Sequence, residues 1–474
     1  MTAAGVRARI VAMKRRNGRG AKAGQEGGSV TKTPNEEEPA GVGQSPKQAG
    51  DTEARGRRAH VERAVWTERM LAALETGVKG GRWFSLMDKV YLPRNLQVSW
   101  EKVKQNKGGR GVDGQSVHDF ETHEESNLGR LSEELRQGKY EPRPVRRVYI
   151  PKPGSHEKRP LGIPAVRDRI VQTALRNTLE PIFEKQFLPN SYGFRPGRGC
   201  KDALRHVQRL LDKGCRFVVD ADIQKYFDTI PHDELMKEIE REVADGRVLD
   251  LIRKYLSVGV LDGLDEWIPE AGTPQGAVIS PLLANIYLHP VDEAMSRTGF
   301  EMVRYADDAV VLCETEAEAK TALSLLDTLL EARGLRLHPE KTRIADMMQR
   351  GGFDFLGYHF ECGYRWPRKK SLDKLKNAVR VRTLRTNGNS MERIIADLNP
   401  VLRGWFAYFK HSAKTTFGNL DGWVRMRLRS ILRKRSHRRG RGRGSDHQRW
   451  PNAYFQGLGL FTMTEARAAL CRPR

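Results

Sequence analysis

Two adjacent acids, Asp307 and Asp308, interrupt an otherwise apolar and β-branched stretch that runs from Met302 to Cys313. Burying carboxylates in such surroundings is unfavourable unless a positive group offsets them, and a bound divalent cation often does so. The flanking residues predict the two strands of a hairpin with the acids at its tip. An Asp-Asp pair in a polar turn is common, so this pair alone leaves a structural and a catalytic role equally open.

A third acid, Asp222, comes just after the apolar run 217–219, which predicts a buried strand. Asp220 and Asp222 are two residues apart and therefore share one face of an extended chain. Two strands that bring carboxylates to one point can hold two Mg²⁺ ions about 3.5–4 Å apart. Mg²⁺ takes oxygen ligands and keeps positions open for substrate phosphates. The pattern predicts nucleotidyl transfer at the point where these acids meet.

The composition predicts a polyanionic partner. The chain has 474 residues, a formal net charge of +24 and a pI near 9.9, with Lys and Arg spread along its length. Nucleic acid is the leading candidate. No apolar run approaches 18 residues, so we expect no membrane association. Five scattered cysteines without a C-x-x-C pair fit a reducing compartment, and we expect a cytoplasmic protein.

The chain divides by composition into four parts. Residues 1–58 contain no aromatic side chain and cannot bury enough apolar surface to fold, so we predict a disordered basic extension. It is either a tether for RNA or dispensable. Residues 59–140 show a helical, amphipathic pattern, and residues 141–365 mix strands with helices. Residues 366–474 are again helical, with a short basic tail at the end.

Local patterns predict the elements of the two larger parts. We expect strands at 146–150, 216–223, 302–306 and 309–313 and helices at 202–212, 234–257 and 316–333. Ser280-Pro281 and Asn399-Pro400 read as helix starts, with a capping side chain followed by proline. A further helix is predicted to begin near Asp421 and to carry a long basic run without acids. Such a run is either a solvated face or a phosphate-binding surface; the predicted RNA contacts are Arg425, Arg427, Arg429, Arg433, Lys434 and Arg435.

Several ordered segments together resemble one family, the bacterial group II intron-encoded reverse transcriptases, or maturases. The resemblance covers residues from about 83 to the C-terminus. Besides Asp222, it rests on the segments 158–164, 191–196, 272–276, 305–308, 337–342, 353–358 and 398–405. It implies an α+β right-hand polymerase, with fingers and a palm containing an antiparallel sheet within 141–365. An α-helical thumb, or X domain, would follow at 366–474, and 59–140 would hold a helical N-terminal extension and the start of the fingers.

The resemblance also implies roles for individual residues. Asp222, Asp307 and Asp308 would be the catalytic metal ligands, with the Ile223 carbonyl completing the first site. Lys152 and Arg159 would lie on the fingers over the incoming triphosphate, where charge builds up on the leaving phosphates. Their alternative role is that of ordinary surface charges. Phe227, five residues past Asp222, would lie under the nucleotide sugar and exclude a 2′-hydroxyl; otherwise it is a core residue.

Three further sets of residues are assigned in the same way. Gln275, in a glycine-bounded turn, would face the nucleotide or template. Lys341 would stabilise or protonate the departing pyrophosphate, or else is simply an exposed lysine. The predicted primer grip is Phe355, Leu356 and Gly357, with a hydrophobic strand as the alternative. Arg403, in the thumb segment, joins the predicted RNA-binding residues.

The function implied is that of an RNA-directed DNA polymerase that copies intron RNA and assists its splicing and mobility. Its expected partners are group II intron RNA, an RNA template with a DNA primer, target DNA and dNTPs, with two Mg²⁺ ions as cofactor. One alternative is a splicing cofactor that has lost catalysis; another is a domesticated or defence-associated reverse transcriptase. The chain reaches Arg474 without the cysteine-paired H-N-H nuclease motif that such proteins often carry, so we do not expect second-strand DNA cleavage.

Overall fold

A computed structural model describes residues 62–63, 65–151, 158–262, 265–273, 276–438, 440 and 444–470. The predicted disorder at 1–58 lies outside these ranges. In the described ranges, no helix has the length and apolar character that crossing a membrane requires.

The N-terminal part is helical, as predicted. Its five helices are α1 (Glu68–Thr76), α2 (Met87–Val90), α3 (Pro93–Asn106), α4 (Val117–Glu121) and α5 (Glu124–Gln137). Leu96 and Trp100 of α3 are fully buried. They belong to the same core as the long helix α6 (Val166–Glu184). This part therefore packs as one unit with the region that follows it.

A first sheet follows, with strand order β2-β1-β4-β5. Strands β1 (Val145–Pro151) and β2 (Lys158–Ile163) form an antiparallel hairpin, and β1 pairs in parallel with β4 (Val260–Asp262). β5 (Asp265–Trp267) completes it. Residues 152–157, which join β1 to β2, lie outside the described ranges.

The central sheet is antiparallel, with strand order β6-β7-β3-β8. Its strands are β3 (Phe217–Asp222), β6 (Glu301–Tyr305), β7 (Asp308–Cys313) and β8 (Arg343–Asp346). Val219 and Ala221 pack in one core with helices α11 (Ser280–Arg297) and α12 (Glu316–Glu331). Val218, on the opposite face, packs in a second core with α7 (Cys200–Asp212). Because side chains alternate along a strand, Asp220 and Asp222 share the face of Val218.

The predicted strands and the helices at 202–212 and 316–333 are confirmed within a few residues. The predicted helix 234–257 is wrong as a single element. The chain instead forms two helices there, α9 (His232–Glu240) and α10 (Gly246–Leu256), and the short helix α8 (Tyr226–Thr229) precedes them. The break occurs because Asp245 caps α10, accepting hydrogen bonds from the backbone of Arg247 and Val248.

A third sheet, with order β11-β10-β9, leads into the helical C-terminal region. Its strands are β9 (Phe353–Phe355), β10 (Tyr358–Glu361) and β11 (Tyr364–Pro367). The helices that follow are α13 (Lys369–Arg382), α14 (Met391–Phe409), α15 (Lys414–Arg435), α16 (Asp446–Arg449), α17 (Asn452–Gly457) and α18 (Met463–Leu470).

Two of the three predicted helix starts are wrong. α11 does begin at Ser280, with Pro281 in its first turn. Asn399-Pro400, however, lies in the middle of α14, which begins after the capping side chain of Ser390. Asn399 instead bonds the tail, donating to the Gly459 carbonyl at 2.8 Å and accepting from the Phe461 amide at 2.8 Å.

The helix predicted near Asp421 begins earlier, at Lys414. Asp421 is a buried residue within α15. Its carboxylate accepts hydrogen bonds from the backbone of Met463 and Thr464 at 3.0 and 2.9 Å. It therefore caps α18, which begins at Met463, rather than α15.

Candidate active site

The three predicted aspartates meet at one end of the central sheet. Asp222, the last residue of β3, lies directly opposite Asp308, the first residue of β7. β6 and β7 are joined by a two-residue turn, Ala306-Asp307, because Tyr305 pairs with Asp308. Directly opposed residues in antiparallel strands have Cβ atoms about 4.5–5.5 Å apart. The carboxylates of Asp222 and Asp308 are therefore neighbours, with Asp307 at the tip of the hairpin.

A buried arginine holds this turn. Ala306 has a φ of +60°, a left-handed conformation that is unfavourable for a residue with a Cβ atom. The guanidinium of Arg304 donates to the Ala306 carbonyl at 2.9 Å and to the Asp292 carboxylate at 2.7 Å. Asn285 accepts a further bond from Arg304 at 3.0 Å. Arg304 and Asp292 are 2% and 1% exposed, so α11 fixes the turn through a buried ion pair.

The segment 190–193 supports the hairpin from its outer edge. The Tyr192 amide donates to the Arg304 carbonyl at 2.9 Å, and the Arg304 amide donates to the Asn190 carbonyl at 3.0 Å. A Cβ atom on Gly193 would lie 2.3 Å from the Ala306 backbone nitrogen. The Gly193 carbonyl accepts a hydrogen bond from Asn285 at 2.8 Å. Only glycine allows this close backbone approach.

The acids repel one another in their present surroundings. Burial, followed by repulsion from three neighbouring aspartates, raises the pKa of Asp308 to about 7. Burial also raises the pKa of Asp307 and raises the pKa of Asp220 to about 6. A bound cation would relieve this repulsion, and the donors present are carboxylate oxygens, which Mg²⁺ prefers. The residues therefore fit a Mg²⁺ site.

Lys341 supplies a positive charge to the site. Its ammonium group donates to the Asp222 carboxylate. The turn that carries Lys341 is joined to the end of β3, because the His338 amide donates to the Asp222 carbonyl at 2.8 Å. Among the described residues, no group of three or more His, Cys, Asp or Glu side chains is already arranged around one metal position. Lys341 would thus compete with a metal ion for the Oδ2 atom of Asp222.

Aromatic side chains lie beside the aspartates. Phe227, on α8, is half-buried, and its ring centroid is 6.5 Å from that of Phe194. Phe194 is 51% exposed and is also 6.5 Å from the ring of Tyr305. The Phe227 carbonyl accepts a hydrogen bond from the Thr273 amide at 2.7 Å. Phe194 therefore connects the Phe227 ring to Tyr305, two residues before Asp307. Phe227 also packs against the main core and keeps part of its ring accessible.

The remaining predicted nucleotide contacts are only partly described. Arg159 is an exposed residue of β2, and its charge acts on Asp307, where it favours the ionised carboxylate. Lys152 and Gln275 lie outside the described ranges. Ile223, directly after β3, is buried and pairs with Leu337 in an isolated antiparallel β-bridge.

The predicted primer grip forms the tight turn between β9 and β10. Phe355 pairs with Tyr358, so Leu356 and Gly357 make a two-residue turn, with φ values of +47° and +85°. Phe355 is fully buried. The Leu356 carbonyl accepts a hydrogen bond from the Tyr408 hydroxyl at 2.7 Å, which joins this turn to α14.

The predicted RNA-binding residues fall into two groups. Arg403, Lys434 and Arg435 are exposed. Arg425, Arg427 and Arg433 are half-buried, and Arg433 pairs with Asp446 at 2.6 Å.

Arg429 does not offer an exposed phosphate contact, which corrects the prediction for that residue. It is 2% exposed. Its guanidinium donates to the Trp450 carbonyl at 2.9 Å and to the Asn452 side chain at 2.8 Å. It is used to hold the tail against α15, because it lies on the inner face of that helix.

Sequence reasoning missed the residues that position the hairpin. Arg304, Asn285 and Asp292 were not singled out, although the last two lie seven residues apart on α11 and therefore share one face of it. Polar residues on an otherwise apolar helix face were the available signal. Asp220 was recognised as sharing a face with Asp222, yet its contact with Arg343 of β8, at 3.8 Å, could not be foreseen.

Comparison with known proteins agrees with this geometry. Residues 150–360 match the family described as "Reverse transcriptase (RNA-dependent DNA polymerase)". Residues 372–450 match "Group II intron, maturase-specific domain". An antiparallel sheet that carries the aspartates, followed by a helical region, defines the chain as a reverse transcriptase-fold protein. More specifically, the chain belongs to the family of group II intron-encoded reverse transcriptases and maturases.

Curated relatives support the same family. Protein YkfC of Escherichia coli is 37% identical over 288 residues, covering 52% of this chain and 74% of YkfC. The group II intron-encoded protein LtrA of Lactococcus lactis is 39% identical over 203 residues, which cover 42% of this chain and 33% of LtrA. A putative COX1/OXI3 intron 1 protein of Saccharomyces cerevisiae is 27% identical, covering 71% of this chain and 47% of that protein. The chain thus spans half or less of the two longer relatives.

Proposed function

We propose that this protein is an RNA-directed DNA polymerase that copies its intron RNA into cDNA and binds that RNA to assist splicing and mobility. The observation that carries the proposal is the register of the central sheet, which sets Asp222 opposite Asp308 with Asp307 in the adjoining turn. Acids so placed suit phosphoryl transfer through two metal ions better than a structural role, because each raises the cost of ionising the others.

When bound, two Mg²⁺ ions would activate the primer 3′-hydroxyl and neutralise charge on the transferred and leaving phosphates. Asp222, Asp307 and Asp308 would hold them, with the Ile223 carbonyl as a further ligand. Cations of the chain itself would neutralise charge on the triphosphate. Arg159 acts on Asp307 from the fingers, and Lys341, which bonds the Asp222 carboxylate, would stabilise the departing pyrophosphate.

The test is primer extension on an RNA template with a DNA primer, dNTPs and Mg²⁺. Changing Asp307 and Asp308 together to Asn should abolish cDNA synthesis and leave RNA affinity nearly intact. The matched control is Asp233→Asn, which removes an exposed carboxylate at the start of α9 and should behave like the wild type. If the wild-type protein binds RNA but makes no product, the chain is a splicing cofactor without catalysis.

Sugar selection is expected to depend on Phe227, whose half-buried ring contacts that of Phe194. A flat aromatic side chain under the incoming sugar leaves no space for a 2′-hydroxyl. Phe227→Ala should therefore increase ribonucleotide incorporation relative to deoxyribonucleotide incorporation. Unchanged discrimination in single-nucleotide extension would refute that role while leaving polymerisation itself unaffected.

The splicing role rests on the helical region 372–450 and its exposed cations. It is tested separately, by adding the protein to its flanking intron RNA at low Mg²⁺ concentration and following ligation of the exons. The Asp307/Asp308 double variant should still promote splicing, because the two activities use different surfaces. Failure of the wild-type protein to promote splicing would favour a reverse transcriptase that acts on another RNA.

A further inference from the structure

A basic cavity lies at the junction of the central sheet region and the helical region, apart from the aspartates. Its volume is about 500 Å³, within the range of about 300–1,000 Å³ that is common for small-molecule sites. One wall is α7, and the opposite wall is formed by β10, β11 and the end of α14. None of the residues predicted to act in catalysis lines it.

The cations of this cavity are arranged in register. Lys201, Arg205 and Arg209 follow one another at four-residue intervals on α7 and therefore lie on one helical face. Arg365 of β11 faces them from the opposite wall. The arrangement places four positive side chains around one space.

Most of this charge has no acidic partner. Arg205 pairs with Asp202 at 2.6 Å. For Lys201, Arg209 and Arg365, no carboxylate of the described chain lies within ion-pair distance. Arg365 is half-buried and donates through Nε to the His411 carbonyl at 2.9 Å. Its two terminal amino groups have no hydrogen-bond acceptor among the described residues.

The electrostatic field in the cavity is consistent with this surplus of positive charge. Burial lowers the pKa of His411, and the neighbouring cations, first Arg365, lower it further. Burial and the nearby Arg209 likewise lower the pKa of His206 beside the cavity. Neither imidazole would therefore add a proton easily. A phosphate would be attracted to the same field.

Tyrosines supply the rest of the lining. Tyr192, Tyr358 and Tyr408 border the cavity, and each hydroxyl is already engaged. Tyr192 bonds His206 at 2.9 Å, Tyr358 donates to the Tyr408 carbonyl at 2.7 Å, and Tyr408 donates to the Leu356 carbonyl at 2.7 Å. Tyr192 and Tyr358 are buried, 6% and 2% exposed, so the half-buried Tyr408 is the tyrosine that offers ring surface to the cavity. Aromatic surface beside guanidinium groups suits a nucleobase carrying a phosphate.

We propose that this cavity is a second nucleotide-binding site, which takes one phosphate-bearing nucleotide, either free or as part of a single RNA strand. The phosphate would contact Lys201, Arg209 and Arg365, and the base would pack against Tyr408. The site shares the Tyr408–Leu356 hydrogen bond with the predicted primer grip, so occupancy would stiffen that turn. It does not depend on polymerase activity, because no catalytic aspartate takes part.

The test uses the full chain in EDTA, so that metal-dependent binding at the aspartates is excluded. The probes are adenosine 5′-monophosphate and an eight-nucleotide single-stranded RNA containing 4-thiouridine. Photo-crosslinked peptides are mapped by mass spectrometry, and affinities are measured by fluorescence anisotropy and competition. We expect crosslinks to peptides that contain Tyr192, Tyr358 or Tyr408.

The diagnostic variant is Lys201→Gln with Arg209→Gln, which removes two exposed charges and leaves the core intact. The matched control is Lys213→Gln with Lys320→Gln, the same charge change on exposed lysines that do not line the cavity. The diagnostic variant should weaken binding at least tenfold, and the control should change it less than twofold. Competition by the mononucleotide identifies a free ligand, and binding of RNA alone identifies a strand.

Equal affinities for the two variants, or crosslinks confined to other peptides, would overturn the proposal. The variant should retain primer extension on an RNA template. Failure of the second site is thus distinguishable from failure of the proposed polymerase function.

Discussion

The buried pair between Arg304 and Asp292 gives the sharpest prediction about how the hairpin that carries Asp307 and Asp308 is held. Asp292→Asn keeps the shape of the side chain and removes its charge, which leaves the Arg304 guanidinium buried without an anion. Breaking a buried ion pair by removing one partner costs about 3–5 kcal/mol. We expect this loss to appear locally, in β6 and β7, because Arg304 lies in β6 and bonds the turn between them.

Hydrogen exchange of the amides of β6 and β7, followed by mass spectrometry, measures this opening free energy. A loss of about 3 kcal/mol should raise the exchange rates by more than 100-fold, since about 1.4 kcal/mol corresponds to a factor of ten. cDNA synthesis should fall as well. The matched control is Glu293→Gln on the same helix. It breaks an exposed pair with Arg297, 3.3 Å apart, and such pairs are worth only about 0–1 kcal/mol.

The double variant Arg304→Met with Asp292→Leu separates stability from positioning. Replacing both members of a buried ion pair by apolar residues is often neutral or stabilising, so exchange in β6 and β7 should return towards the wild-type rate. cDNA synthesis should stay low, because the Ala306 carbonyl has lost its donor. Exchange within tenfold of the wild type in Asp292→Asn, or full activity in the double variant, would refute this reasoning.

Three further predictions concern the metal site, the hairpin and the thumb. Lys341→Gln should lower the Mg²⁺ concentration that half-saturates primer extension, by less than about fivefold, because an exposed ion pair contributes at most about 1 kcal/mol; a higher requirement would contradict this. Gly193→Ala should strongly reduce cDNA synthesis in a folded protein by circular dichroism, since its Cβ would lie 2.3 Å from the Ala306 nitrogen. Removing three exposed thumb cations should flatten the salt dependence of RNA binding by up to roughly 0.7–0.9 in log–log slope per lost phosphate contact, and an unchanged slope would place the RNA surface elsewhere. The cations to replace by Gln are Arg403, Lys434 and Arg435.

The hairpin and the strand opposite it could be predicted because their signal is local. Apolar runs mark the strands, and a two-residue period decides which side chains share a face. The pairing of Asp222 with Asp308 follows once both strands join one sheet. The support behind the hairpin could not be predicted in this way, because Arg304 finds its partners on a helix that precedes it in the chain.

The errors in the helical region have one physical origin. Asn399-Pro400 has the composition of a helix start, and a proline within a helix loses a backbone hydrogen bond. Tertiary contacts override this local preference, since Asn399 bonds the tail at 459–461. Arg429 was assigned to RNA by its place in a basic run, but its position on α15 turns it inward. The residue type predicted RNA as the partner of Arg429, but the face of α15 on which Arg429 lies determines its actual partners.

The C-terminal helices stabilise the thumb by supplying hydrogen-bond partners to two buried charged residues, Asp421 and Arg429. Both charged groups are buried, and the described chain satisfies them largely with residues beyond 449. A premature stop codon near residue 445 would remove α16, α17 and α18. Its effect would extend into α15, which remains. It would take away the hydrogen-bond partners of Asp421 and Arg429. It would also uncover the apolar core that Phe455, Leu460 and Met463 help to form, so shortened products should misfold and be degraded.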